Sequence, residues 1–385
     1  MKRFYSPVSA SQAFAWADRW NLTPTPLALS LTRAAGYRLA EALTADAEMP
    51  PKAQSARDGY ALRATDTLGA GDYNPLPLRL LSAGQSVGPG SAVRVSAGDD
   101  LPEGADAVLG LERGDERGRF LDVAGSLAPG EGLIRPGEEW RQGDLLLPAG
   151  RRLRPQDLAR LALAGHSDIK VLGRPRVHLC LAGRFTRDAD SPMLAALVNR
   201  DGGELTGIER TVGHEDLARA FIGADADLIL VAGGSGYGVE DHAVEALYHS
   251  GEVQLDGIAL HPGGGLVLGE VVGRPAMLLP GAPLACLCAY DLVVARLLRR
   301  LAGLPGTLPY RSRTLILSRK LVSRIGQMEL ARMRIDGDRA EPLAVADDRL
   351  LASSVRADGF VLLAENSEGY PEGSRVEVHL YDDYD

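Results

Sequence analysis

Residues 227–242, DLILVAGGSGYGVEDH, decide how the chain is read. Leu228 to Ala232 are all apolar, which suits a strand covered on both faces of a parallel sheet rather than one with a wet side. A glycine cluster follows, and then the helical pattern of DHAVEALYHS. Sheets of this kind hold ligands in the crevice at the carboxyl ends of their strands, which is where the cluster falls. Gly233, Gly234, Ser235 and Gly236 lie in a loop whose small residues let backbone amides approach an anion, with a helix amino terminus next in the chain. The same loop also reads as a tight strand-to-helix turn with no ligand, and the GxGxxG spacing of a dinucleotide site is absent.

The βα texture extends to both sides of this stretch. Before it come the strand VHLCLAG, a helix near MLAALVNR and the helix HEDLARAFIG; after it come the strand AMLLPG and the helix CAYDLVVARLLRRLAG. Residues 173–304 therefore read as one α/β domain. Two more turn clusters belong to it, HPGGG with Pro262 and Gly263, and LPGAP with Pro280, Gly281 and Pro283. Each alone reads as a plain turn, whereas three such loops in one domain point to a shared cleft.

Residues 46–131 carry short alternating runs such as LRLL and AVRVSAG broken by Gly and Pro, the mark of a β-rich inserted lobe. Residues 1–45 and 132–172 flank it and read as a helical linker domain. Ala13, Trp16 and Ala17 share one face, LALSLTRAAGYRLAEAL continues the period through Leu31, Ala34, Leu39 and Leu43, and PQDLARLALAG gives a later helix. Residues 305–385 alternate as LILS, ELARMRI, GFVLL and SRVEVHLYD, a small C-terminal β domain. With 385 residues and 45% hydrophobic content, the chain builds several cores.

The 51 acidic residues outnumber 42 basic ones, and the resulting net charge of -9 opposes binding to nucleic acid or to an anionic membrane. Cys180, Cys286 and Cys288 sit in apolar stretches, as buried thiols of a reducing compartment do, so the cytoplasm is the expected location. The first residues show no export pattern and no run reaches the eighteen or so apolar residues of a membrane span. His178, His214, His242 and His261 show no metal-ligand spacing, and HExxH does not occur. In SARDGYALR, Asp58 is either a site carboxylate or a turn residue capping its own backbone, and Glu138, Glu139 and Asp241 share that ambivalence.

Taken in order, these pieces resemble the molybdopterin molybdenumtransferase family, known as MoeA in bacteria and as the E domain of gephyrin. SARDGYALR is similar to the family's S-x-x-D-G-Y-A, and SAGDDLPEGADAVLGLE to T-G-A-x-L-P-x-G-A-D-A-V. RPGEEWRQGDLLLPAGRRL, DADSPMLAALVNRDGGEL, LILVAGGSGYGVEDH, LPGAP and VRADGFVLL follow in family order. The resemblance implies an elongated four-domain subunit, with a central parallel-sheet α/β domain, the β-rich lobe and a small C-terminal β-barrel, assembled as a homodimer. It implies molybdate insertion into adenylylated molybdopterin, so molybdopterin or a related pterin is the ligand, magnesium a candidate divalent ion, and a molybdoenzyme or other pathway protein a candidate partner. Asp58, Glu139 and Asp241 match catalytic positions. Gly233, Gly234, Ser235, Gly236, Asp188, Asp190, Ser191, Pro262, Gly263, Pro280, Gly281 and Pro283 match pterin-binding stretches, and Arg184 stands as a substitute anion partner.

Several charged groups of the family are replaced. T-G-D-E-L becomes Ala182, Gly183, Arg184 and Phe185; K-P-G-K-P becomes His261 to Gly265; a paired Asp becomes Val212 and Gly213; and the Asn of L-P-G-N-P becomes Ala282. Fewer carboxylates and lysines for a cation and an oxyanion predict a transferase activity that is weakened or lost. The alternatives are a non-catalytic pterin-binding scaffold or cofactor chaperone, and an enzyme turned to another phosphorylated substrate.

Overall fold

The computed structural model describes residues 7–183, 187–236, 241–343 and 351–381. They fall into two compact units, Pro26–Leu172 on one side of the division and Met1–Thr25 with Gly173–Asp385 on the other.

In the Pro26–Leu172 unit, the helix expected through LALSLTRAAGYRLAEAL does not form. Pro26–Ser30 is a strand paired antiparallel with Asp168–Leu172, Leu31–Arg33 is a single 3-10 turn, and Arg38–Leu39 returns to pair with the other edge of the same strand. The cause is a partner remote in sequence. Gly36 takes φ 77° and donates its amide to the Leu153 carbonyl, so the backbone bonds a helix would supply come from other segments. Leu39, Trp140, Leu146, Leu153, Leu161 and Val171 close a core there, and Pro155–Leu163 is a helix as expected.

The inserted lobe is one six-stranded sheet, in the order Ala107–Gly110, Gly59–Leu62, Ser91–Val95, Leu76–Leu81, Phe120–Val123, Gly114–Arg117. Its pairings are antiparallel except that between Leu76–Leu81 and Ser91–Val95. Tyr60, Leu62, Leu109 and Leu121 pack on one face and Ala61, Val95 and Val108 on the other.

The other unit contains the α/β sheet. Glu204–Thr211, Arg176–Ala182, Leu228–Ala232 and Arg274–Leu279 run parallel, and Val267–Val271 and Glu252–Asp256 extend the sheet antiparallel. Alternation decides the two cores. Leu179, Leu181, Leu228 and Leu230 meet Leu194, Val198 and the Pro283–Leu301 helices, while Cys180, Ile229 and Val231 meet Leu217, Phe221, Val244 and Leu247 of two helices on the other face. The first helix, Ala10–Asp18, starts from a Ser9–Gln12 capping box and buries Ala13, Trp16 and Ala17 in the first of these cores.

Beside the sheet, Arg200, Asp201 and Asp291 form a buried ionic cluster. Arg200 Nη2 lies 2.7 Å from Asp201 Oδ2 and 2.8 Å from Asp291 Oδ1, and Tyr310 Oη donates to Asp291 Oδ2 at 2.9 Å. The C-terminal strands Met328–Asp336, Arg339–Pro342, Ser312–Leu317, Arg375–Leu380 and Gly359–Leu363 pair in that order, and the last pairs back to the first, closing a small barrel. Leu260–His261, from the α/β part of the chain, adds a parallel rung to Met328–Glu329. Among the described residues, no helix is long and apolar enough to cross a membrane.

Candidate functional site

Three strand ends meet where the glycine loops lie. Gly233 and Gly234 leave the Leu228–Ala232 strand with φ 84° and 67°, a region open to glycine at little cost. Gly233 N donates to the Leu279 carbonyl at 3.3 Å, and the buried Ser235 hydroxyl donates to the same oxygen at 3.1 Å. Ser235 therefore ties its loop to the neighbouring strand. A methyl group on Gly234 would stand 3.1 Å from Ala182 Cβ, and one on Gly281 would stand 3.3 Å from Gly233 Cα. The third loop joins at Gly265, whose Cβ position is 3.7 Å from Pro280 Cγ. Gly263, by contrast, packs inward on the Pro283–Ala289 helix, where a methyl group would meet Ala285 O at 3.2 Å. Pro262 and Pro280 are buried, and Pro283 opens that helix at its first turn.

Asp241 folds back onto the glycine loop: its Oδ2 lies 2.6 Å from the Cβ position of Gly236. Asp188 accepts from Ser191 N at 2.9 Å and Ser191 Oγ at 2.7 Å, with Arg210 Nη2 at 2.6 Å, and these contacts hold its carboxyl below the usual carboxylate range. Asp190 differs. It is 4% exposed, its Oδ1 has no hydrogen-bond partner among the described residues, and burial, then the Asp188 charge, pushes its pKa up to about 6.

A raised carboxyl pKa costs stability once the group must ionise. Relative to the unfolded chain, Asp190 is neutral to stability below its ordinary value of 3.8 and costs progressively more as pH rises to about 6. Asp190→Asn is thus expected to match the parent near pH 4 and to be the more stable above pH 6, by up to about 3 kcal/mol from a shift of about two units. Melting temperatures of both proteins across that range are the check, and a difference that stays flat with pH disproves the assignment.

Asp58 and Glu139 belong to the Pro26–Leu172 unit. Both are exposed; Asp58 Oδ1 accepts from Ala97 N at 2.9 Å, and Glu138 caps its own turn by accepting from Arg135 N at 2.7 Å. Arg184 lies outside the described residues. An open polar pocket of about 480 Å³ is lined by Arg176, His178, Glu209 and Arg219, and none of the glycine-loop residues contributes to it.

Comparison with known proteins matches three family models along the chain: the MoeA N-terminal region (domain I and II) over residues 8–165, the probable molybdopterin binding domain over 177–300, and the MoeA C-terminal region (domain IV) over 314–381. Molybdopterin molybdenumtransferase 2 of Mycobacterium tuberculosis is 31% identical over 389 residues, with 92% of this chain and 94% of that one covered. The chain belongs to the MoeA family. A putative molybdopterin biosynthesis protein of Methanocaldococcus jannaschii is 29% identical over 364 residues, covering 89% of this chain and 88% of its own. The MoeA crystal structure from Pyrococcus horikoshii OT3 matches with TM-score 0.75 at 26% identity, over 98% of this chain and all of that one, which fits the two-core sheet and closed barrel.

Where this MoeA chain departs from the family motifs, four of the replacing residues do backbone work. Ala182 ends its strand against Gly234, Gly213 takes φ 88° as the cap of the His214–Gly223 helix, Gly264 O accepts from Ile258 N at 2.9 Å, and Ala282 caps the Pro283–Ala289 helix. None of these side chains carries a charge. Sequence spacing also misses one polar group of neighbours. His214 shows no metal-ligand spacing along the chain, yet the packing of its helix on Ala243–Ser250 brings it within reach of Glu245 and His249. The legible part of that signal is Glu245-x-x-x-His249, an i,i+4 pair on one helix face.

Proposed function

We propose that this chain binds adenylylated molybdopterin at the carboxyl ends of its parallel strands and inserts molybdate, more slowly than relatives that keep the full charged set. The reading is carried by the packing of the Gly233, Gly265 and Gly281 loops against one another at the carboxyl ends of the parallel strands, where sheets of this kind hold their ligands. Asp241 acts as a polar group there, and Asp58 and Glu139 are the carboxylates that the other unit brings to the reaction. Magnesium keeps most of its ligands as water and phosphate oxygens, needing one or two carboxylates. Asp241, beside the loop at Gly236, is the residue that would hold it, and the ion would offset phosphate charge. The proposal includes a homodimer, the cytoplasm as compartment, and a molybdoenzyme or another protein of the pathway as recipient.

The two lysines replaced at His261 and Gly264 account for the slower rate, since each charge-assisted hydrogen bond contributes about 1.5–3 kcal/mol. Purified protein given adenylylated molybdopterin, molybdate and magnesium is expected to release AMP slowly with formation of molybdenum cofactor. The double variant His261→Lys, Gly264→Lys is expected to run at least about tenfold faster, 1.4 kcal/mol being a factor of ten. Pterin binding without AMP release in both proteins would favour a scaffold role, and failure to bind the adenylylated pterin at all would overturn the proposal.

A further inference from the structure

The structure assigns a second ligand site to this chain, a binding site for a borderline divalent cation of the zinc class formed by His214, Glu245 and His249. One donor atom from each of these side chains lies within 4.8 Å of the others. His214 is the first residue of the His214–Gly223 helix, and Glu245 and His249 lie one turn apart on Ala243–Ser250. The imidazole centroids of His214 and His249 are 5.7 Å apart, and His242, 6.3 Å from His214, stands at the rim with Nδ1 3.8 Å from Glu245 Oε2.

The donor set selects the ion. Two imidazole nitrogens and one carboxylate oxygen suit zinc, nickel, cobalt or copper, whereas magnesium and calcium take oxygen-only sets. A tetrahedral ion with metal–nitrogen distances near 2.1 Å wants donors about 3.4 Å apart. Glu245 and His249 are exposed and His214 is half-buried, so rotation of these side chains closes the remaining gap without moving backbone. Three protein donors leave a fourth position for water. The three cysteines, which would otherwise compete for a soft metal, are all buried. Asp241 is not among the donors, so this site is separate from the carboxylate proposed above for magnesium.

Zinc bound here would clip the start of one covering helix to the helix that follows the glycine loop. Calorimetric titration of the untagged full-length protein with zinc chloride is expected to show one saturable site that excess magnesium does not displace. His214→Gln and His249→Gln keep side-chain size on exposed or half-exposed positions, so they should fold, as circular dichroism will show. Each is expected to weaken zinc binding at least about tenfold, since even residues that only orient metal ligands contribute 10–100-fold. Cobalt loading gives a second readout: visible bands of a nitrogen and oxygen set, without thiolate charge transfer, that vanish in the double variant. Absence of a saturable zinc site in the parent, or equal affinity in the parent and the double variant, would refute the site.

Discussion

Arg200→Met is expected to destabilise the protein by about 3–5 kcal/mol, the cost of stranding buried charges by removing one partner. Asp201 is fully buried and Asp291 nearly so, and Arg200 Nη2 reaches both, at 2.7 and 2.8 Å. Arg200 Nη1 also donates to Tyr310 Oη at 2.6 Å, and the hydroxyl passes a bond on to Asp291 at 2.9 Å. Burial disfavours the guanidinium charge, but Asp291, Tyr310 and Asp201 outweigh that and keep Arg200 protonated. Burial also lifts Asp291 above the usual carboxylate range even with Arg200 present. Without the arginine, the ion pair left to Asp201 among the described residues is the longer one to Arg299, at 3.4 Å, and Asp291 keeps its bond from the Tyr310 hydroxyl. The expected relief is partial: Arg200→Met combined with Asp291→Asn should be more stable than Arg200→Met alone, because one of the stranded charges is gone. Urea unfolding of the parent, both single variants and the double variant measures this, and a loss under about 1 kcal/mol for Arg200→Met would mean the cluster carries little of the fold.

The parts of this fold that sequence revealed are those whose cause is local. Leu228 to Ala232 announce a doubly covered strand because every residue must be apolar, and each is fully buried. The Ala10–Asp18 helix likewise carries its own cap and stripe. The misreading of Leu27 to Leu43 as helix has a non-local origin. Its apolar spacing fits both periods, and the choice is made by the Asp168–Leu172 strand more than a hundred residues on, together with Gly36. The rung that Leu260–His261 adds to the barrel is invisible for the same reason. At the glycine loops the sequence showed which residues gather but not what ties them together, since the bond from the Ser235 hydroxyl to the Leu279 carbonyl is encoded by no spacing. His214 and His249 meet only through helix packing, a fact that no spacing along the chain encodes.

Gly59→Ala is expected to disrupt the β-rich lobe, and the reason separates two neighbours in one motif. Gly59 opens the Gly59–Leu62 strand between Ala107–Gly110 and Ser91–Val95. A Cβ there would lie 1.9 Å from Leu109 O and 2.9 Å from Leu109 C, both backbone atoms of the paired strand. No side-chain rotation relieves that overlap, so either the Gly59–Gly110 end of the pairing opens or the strand moves as a whole. Overpacking of this kind costs about 1–3 kcal/mol or more, and here it falls on a strand buried along its whole length. Gly71→Ala in the same lobe is the control, because nothing lies within 4 Å of its Cβ position and the change should be neutral or slightly stabilising. Limited proteolysis should cleave the lobe of Gly59→Ala far faster than that of Gly71→Ala, with a lower melting temperature for the first alone. Asp58 is exposed beside it, so Asp58→Asn should leave stability near that of the parent and act only on ligand chemistry. If Gly59→Ala proves as stable as the parent, the glycine of the DGYA stretch is not there for strand approach, and its role must be sought at the ligand with Asp58.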